Sequence, residues 1–191
     1  MRASGLASLA FFYCDFRDDE KKDRRGLLSS LLSQLSEQSD AYCKILSGFY
    51  SKHRDGSQDP SDSALTECLK AMVKCPGQAP VYVVVDAIDE CSNTSGTPSQ
   101  REKVLSVLSM LVGLRLPSLR VCITSRPETD IEAILDPLTP RSFSLQDEKG
   151  QIQDIIDYIT CLVNTDSNMQ RWRVEDKELV IQTLSQRADG M

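Results

Sequence analysis

The segment that most constrains the fold is Val81-Tyr82-Val83-Val84-Val85-Asp86. An apolar run rich in β-branched side chains favours extended backbone, and the Pro-Gly-Gln-Ala-Pro break at 76–80 cuts it off from what precedes it. Because the run has no polar face, it reads as a central parallel strand. Parallel neighbours need crossover connections, usually helical, so the remaining sequence must supply helices between strands. It does so on both sides. Leu9–Asp15 is a second apolar, aromatic run that stops at charge, as a strand buried on both faces would. Between the two runs, Leu27, Leu28, Leu31, Leu32 and Leu35 form one helical stripe. Tyr42, Ile45, Leu46, Phe49 and Tyr50 form another after Asp40, a candidate N-cap, and Leu65, Cys68, Leu69, Met72 and Val73 a third. Downstream, a helix through Val104, Leu105, Leu108, Leu111 and Val112 precedes a short strand at Leu119–Thr124, and Ile131, Ile134 and Leu135 mark a short helix. Arg141–Leu145 reads as a last strand, with helices at about 149–163 and 174–188 closing the chain. The fold class is therefore α/β with a mostly parallel sheet.

Composition narrows the function. With 40% apolar and 26% charged residues in 191, the chain has material for one ordinary core. Its net charge of −6 lacks the basic footprint of a nucleic-acid binder. No apolar run approaches a membrane span, and the apolar stretch after Met1-Arg2 reads as strand rather than leader because no small-x-small site follows it. The seven cysteines include no C-x-x-C pair, so they read as reduced thiols packed as small hydrophobes, Cys68 and Cys122 among them. That usage points to a cytoplasmic protein. The one histidine, His53, lies in a polar run and reads as exposed, which disfavours a His-based triad.

In open parallel sheets ligands bind beyond the carboxyl ends of the strands, so the strand tips carry the chemical information. One tip reads Asp86-Ala87-Ile88-Asp89-Glu90. Asp86, on a rigid mount, suits a hard divalent cation, while Asp89 or Glu90 could orient or deprotonate an attacking water. The other tip reads Thr124-Ser125-Arg126-Pro127, with two hydroxyls and a guanidinium fork suited to a phosphate oxygen, and Pro127 opening the next helix. Each tip also has a plainer reading: the first as a solvated acidic loop after a core strand, and the second, favoured when that tip is taken singly, as Arg126 capping or pairing with an acid such as Glu90 or Glu128. Together they set a metal-binding acid against an arginine, as phosphoryl transfer requires.

These residues resemble a known family. Asp86-Ala87-Ile88-Asp89-Glu90-Cys91 and the strand ending Thr124-Ser125-Arg126-Pro127-Glu128 resemble the Walker B (81–90) and sensor 1 (119–127) motifs of NACHT-type P-loop NTPases of the STAND class. The resemblance is to the fungal NOD-like receptor group with a nephrocystin-3-like N-terminal NTPase region. Leu9–Phe16, Leu31-Leu32-Ser33-Gln34-Leu35 and Arg187-Ala188-Asp189-Gly190-Met191 are similar to the same group. The resemblance implies a three-layer sandwich of the ASCE type, with a partial nucleotide-binding core at 1–145 and C-terminal helices at 146–191 leading into a further region. It assigns Asp86 to magnesium, Asp89 and Glu90 to hydrolysis, and Thr124, Ser125 and Arg126 to the last phosphate of ATP or GTP.

One departure tempers this. The family's G-x-x-x-x-G-K-[ST] loop cradles phosphates with backbone N–H groups and a lysine, and this sequence contains no Gly-Lys pair. Eight residues precede Leu9, so the first strand and its loop are expected to be missing, the gap falling between the Leu119–Thr124 and Arg141–Leu145 strands. The expected function is a fragment of a nucleotide-dependent signalling switch, as in fungal non-self recognition, not competent for hydrolysis alone. The alternatives are a non-catalytic truncated paralogue that docks onto itself or a full-length homologue, and a truncated gene model without independent activity.

Overall fold

A computed structural model describes residues 6–18, 23–53, 58–93, 96–144 and 149–187. Strands β1 (Ser8–Tyr13), β2 (Val81–Asp86) and β3 (Leu119–Ile123) form one parallel sheet in that order. Tyr13 stands opposite Asp86, and Val85 opposite Ile123, so all three strands end at the same level. The connections carry helices α1 (Arg24–Ser36), α2 (Asp40–Lys52) and α3 (Asp62–Val73), then α4 (Gln100–Gly113), and α5 (Thr129–Leu135) follows the sheet. Helices α6 (Lys149–Thr165) and α7 (Val174–Arg187) come last. By internal contacts the chain divides into two compact units, Met1–Pro140 and Arg141–Met191.

The core of the first unit follows the stripes. Leu27, Leu28, Leu31, Leu32 and Leu35 of α1 are buried, with Leu65, Cys68, Leu69, Met72 and Val73 of α3 and Val104, Leu105, Leu108 and Leu111 of α4. They share one cluster with Ala10, Phe12, Val81, Val83 and Val85 of the sheet. Helix starts are fixed by side-chain oxygens that take otherwise orphaned N–H groups. Asp23 caps α1, Ser61 caps α3, and Ser99 caps α4 in a reciprocal box with Glu102. Ser39, one residue before the expected Asp40, caps α2.

The strands alternate in burial instead of being hidden on both faces. Phe11, Tyr13 and Tyr82 lie 36%, 56% and 41% exposed, on the face opposite the core. An apolar run does not by itself distinguish two covered faces from one covered face and one aromatic face. Cys122 sits on that open face and is exposed, not packed as expected, whereas Cys68 is buried. His53 is half-buried: its Nδ1 lies 2.8 Å from the Phe49 carbonyl and its ring 4.3 Å from the Phe49 ring, at the end of α2.

The outer edge of β1 is closed by two glutamines, Gln34 of α1 and Gln38 in the turn just past its end. Gln38 accepts from the Leu9 N–H at 2.9 Å and donates to the Leu9 carbonyl at 2.8 Å. Gln34 does the same for Phe11, at 3.1 and 2.7 Å. The two edge residues, Leu9 and Phe11, stand ~6.6 Å apart along the strand, and Gln34 and Gln38 reach one each from the last turn of α1 and the turn after it. Each primary amide stands in for a neighbouring peptide group, which satisfies an edge otherwise open to pairing.

In the second unit, α6 and α7 pack together and Val163 is buried. Arg141–Ser144 form no strand, contrary to expectation, and Leu145 lies outside the described residues. The segment has only Phe143 and Leu145 as apolar residues, and Phe143 is exposed, so it has no face to bury. Residues 188–191, the end of the resemblance, also lie outside the described part.

Candidate functional site

The tips of β2 and β3 are stitched together by Thr124. Its N–H donates to the Val85 carbonyl at 3.0 Å, and its carbonyl accepts from the Ile88 N–H at 3.1 Å. Its hydroxyl donates to Asp86 Oδ1 while accepting from the Ala87 N–H at 3.0 Å. Asp86 is thus held at the carboxyl end of the central strand, with one oxygen oriented by Thr124.

The chain turns sharply here. Ala87 adopts the left-handed conformation, φ 56° and ψ 50°, which a small side chain tolerates better than a branched one. The turn drives Ile88 fully into the core and starts the short 3-10 turn Ile88–Glu90, which presents the next two acids. Asp89 does not project freely. Its Oδ1 accepts from the Arg126 N–H at 3.0 Å and its Oδ2 lies 3.5 Å from Arg126 Nε, a second tie between the tips. The Arg126 guanidinium is otherwise open, with 84% of its side chain exposed. Glu90 Oε2 accepts from the Phe16 N–H at 3.4 Å, and Ser125 is exposed beside Thr124. Pro127 lies ahead of α5, which begins at Thr129.

Sequence reasoning missed the group that braces this end of the sheet. Arg101 of α4 is 5% exposed, and its guanidinium donates to the carbonyls of Asp89 at 2.6 Å and Cys91 at 3.1 Å. The same fork meets the carboxylates of Glu128 and of Asp130, the latter at 3.1 Å. Burial pulls its pKa down, but hydrogen bonds to Glu128 and Asp130 outweigh burial and hold it above the ordinary value. The available signal was local: an arginine in the first turn of an apolar helix, with two acids just past β3.

Cys14 follows β1 and Cys91 closes the 3-10 turn, and their sulfurs lie 3.3 Å apart, buried. The hydrogen bond with Cys91, then burial, then nearby Glu90 and Asp86 push the Cys14 thiol well up. Cys91 is pushed down, first by that same contact and then by Arg101, against burial.

Among the described residues no group of three or more His, Cys, Asp and Glu side chains could hold a metal ion. A cation at Asp86 would therefore have at most two such side chains, with water and ligand oxygens completing the shell. That donor set fits magnesium, which binds through one or two carboxylates and keeps several waters. A polar cleft of about 480 Å³ lies at the opposite end of the sheet, between Ser8, Gln38 and Gln78, away from these acids.

Both tips fall inside one matched segment. The family model described as Nephrocystin 3, N-terminal, matches residues 1–126. The chain belongs to this family. The matched span runs from before β1 to Arg126 and so holds Asp86, Asp89, Glu90 and Thr124 as well. No curated protein and no solved structure matches the chain. No helix among the described residues is long and apolar enough to cross a membrane.

Proposed function

We propose that this Nephrocystin 3, N-terminal family chain carries the acid and sensor half of a NACHT-type signalling NTPase. The observation that supports the reading is the pair of clips, Thr124 on Asp86 and Asp89 on Arg126, which gathers three acids, two hydroxyls and an arginine at one end of a parallel sheet. Asp86 would hold magnesium together with the phosphates of ATP or GTP. Bound magnesium neutralises phosphate oxygens and orients them for attack. Arg126, with Thr124 and Ser125 beside it, faces the last phosphate. Glu90 is better placed than Asp89 to orient or deprotonate water, because Asp89 already pairs with Arg126. In this reading the chain belongs to a cytoplasmic, nucleotide-dependent switch of the fungal non-self recognition kind. With no Gly-Lys phosphate loop in the sequence, it binds nucleotide weakly and does not turn it over alone.

Fluorescence titration with a labelled ATP, with and without magnesium, tests this. We expect weak, saturable, magnesium-dependent binding that falls about tenfold in Asp86→Asn and in Arg126→Ala, each worth ~1.4 kcal/mol of binding. Glu67→Gln, on the exposed Glu67–Lys70 pair of α3, should bind as the unaltered chain does. Binding that ignores magnesium, or no saturable binding, refutes the reading.

The exposed aromatic face of Phe11, Tyr13 and Tyr82 favours a second reading, a module that acts by docking onto its own kind or a full-length homologue. Light scattering checks it: Tyr13→Ser with Tyr82→Ser should abolish self-association or capture of the longer homologue, and an unchanged complex excludes this face.

A further inference from the structure

We propose that Cys14 and Cys91 form a redox modification site, closing to a disulfide that ties the end of β1 to the acidic turn. The sulfurs are 3.3 Å apart, so about 1.3 Å of approach separates contact from the ~2.05 Å bond. Backbone hydrogen bonds anchor both cysteines at this end of the sheet. The Cys14 N–H donates to the Asp86 carbonyl at 3.0 Å, which continues the β1–β2 ladder past Tyr13. The Cys91 N–H donates to the Ile88 carbonyl at 2.9 Å, which closes the 3-10 turn.

The position gives the bond a consequence. Cys91 directly follows Glu90, and its carbonyl takes the Arg101 Nε–H at 3.1 Å. Phe16, two residues after Cys14, already donates its N–H to Glu90. A covalent link would add a fixed tie beside these yielding contacts and restrain the turn that bears Asp89 and Glu90.

Hydrogen peroxide is the oxidant in the step proposed. It oxidises one thiol to a sulfenic acid and releases water; the second sulfur then attacks that sulfur, expelling a second water as the S–S bond forms. Two thiols lose two electrons and two protons, and one peroxide is reduced to two waters. Burial leaves Cys14 5% and Cys91 1% exposed, so reaction proceeds through local opening at the strand end, where Phe16 is 64% exposed.

The test uses the full chain, reduced and then exposed to hydrogen peroxide, with remaining thiols trapped by N-ethylmaleimide before non-reducing trypsin digestion and mass spectrometry. The expected product joins peptide 3–17 to peptide 75–101. Cys75 shares the second peptide, so the link must persist in Cys75→Ser and vanish in Cys14→Ser and in Cys91→Ser. Amide exchange over 87–91 should slow about tenfold on oxidation and recover with reductant. Recovery of Cys14 and Cys91 as alkylated or sulfinic forms while exposed Cys43 and Cys161 oxidise overturns the proposal, as does a link through any other pair. None of these readouts involves nucleotide, so they succeed or fail separately from the proposed function.

Discussion

Replacing Arg101 by alanine should loosen both strand tips at once. The guanidinium makes hydrogen bonds to two main-chain carbonyls, those of Asp89 and Cys91, and to two carboxylates, those of Glu128 and Asp130. Leaving a buried carbonyl without a donor costs ~1–3 kcal/mol, and removing one partner of a buried ion pair costs ~3–5 kcal/mol in all. The carboxylates retain 40% and 33% of their side-chain exposure and can rehydrate, which places the expected loss near the lower end, ~3 kcal/mol. With a urea slope of ~2 kcal/mol per molar, the midpoint should fall by ~1.5 M. Arg101→Lys keeps the charge but loses the fork, and should fall about half as far. The probe matters, because the one tryptophan, Trp172, lies in the second unit. Amide exchange over 86–91 and 124–128, or far-ultraviolet dichroism, reports the first unit. The raised pKa contributes stability that is lost only as pH rises past the arginine range, so the Arg101 effect should be flat through neutral pH. A midpoint shift below ~0.3 M in Arg101→Ala, with unchanged exchange at both tips, would refute the bracing role.

The glutamine edge offers a second test: Gln34→Ala and Gln38→Ala should each cost ~1 kcal/mol and together promote self-association, read by light scattering, as the Leu9 and Phe11 groups reopen. A monodisperse double variant of unaltered stability would show that water replaces the amides at no cost. For pH, burial raises the Cys68 thiol from 9.0 to about 11. Its contribution is whole below pH 9 and is lost between about pH 9 and 11, as the unfolded chain ionises first, at up to ~1.4 kcal/mol per pH unit. Cys68→Ala should flatten the urea midpoint by that one-proton slope, and an unchanged slope would assign the loss to another group.

Periodic burial was legible in the sequence and directional contacts were not. The leucines of α1 announce a helix because burial repeats at 3.6 residues, the valines of β2 announce a strand by their β-branched run, and the α1, α3 and α4 stripes are buried apart from the half-buried Val112. The second sheet face was misjudged at Phe11, Tyr13 and Tyr82, since apolar character says that a side chain can be buried, not that something covers it. At the strand tips, the residue types named the acids and the arginine, but not which acid is engaged. The Asp89–Arg126 and Arg101–Glu128 pairs depend on how α4 and β3 meet in space, over separations of 37 and 27 residues that no local pattern encodes.

The two edges of the sheet bear on the same end. Ladder bonds from Val81 to Ser118 and from Thr124 to Val85 turn the even-numbered groups of β3 toward β2, leaving those of Val121 and Ile123 facing outward. Among the described residues β3 has no second strand partner, whereas the outward groups of Leu9 and Phe11 on β1 are held by Gln38 and Gln34. A further strand added at β1 must displace two glutamine amides that each make paired hydrogen bonds. One added at β3 displaces no such amide. Growth at that edge would set the new strand's tip beside Thr124 and Arg126, the hydroxyl and guanidinium side of the site, and away from Glu90, which leans toward β1 through Phe16.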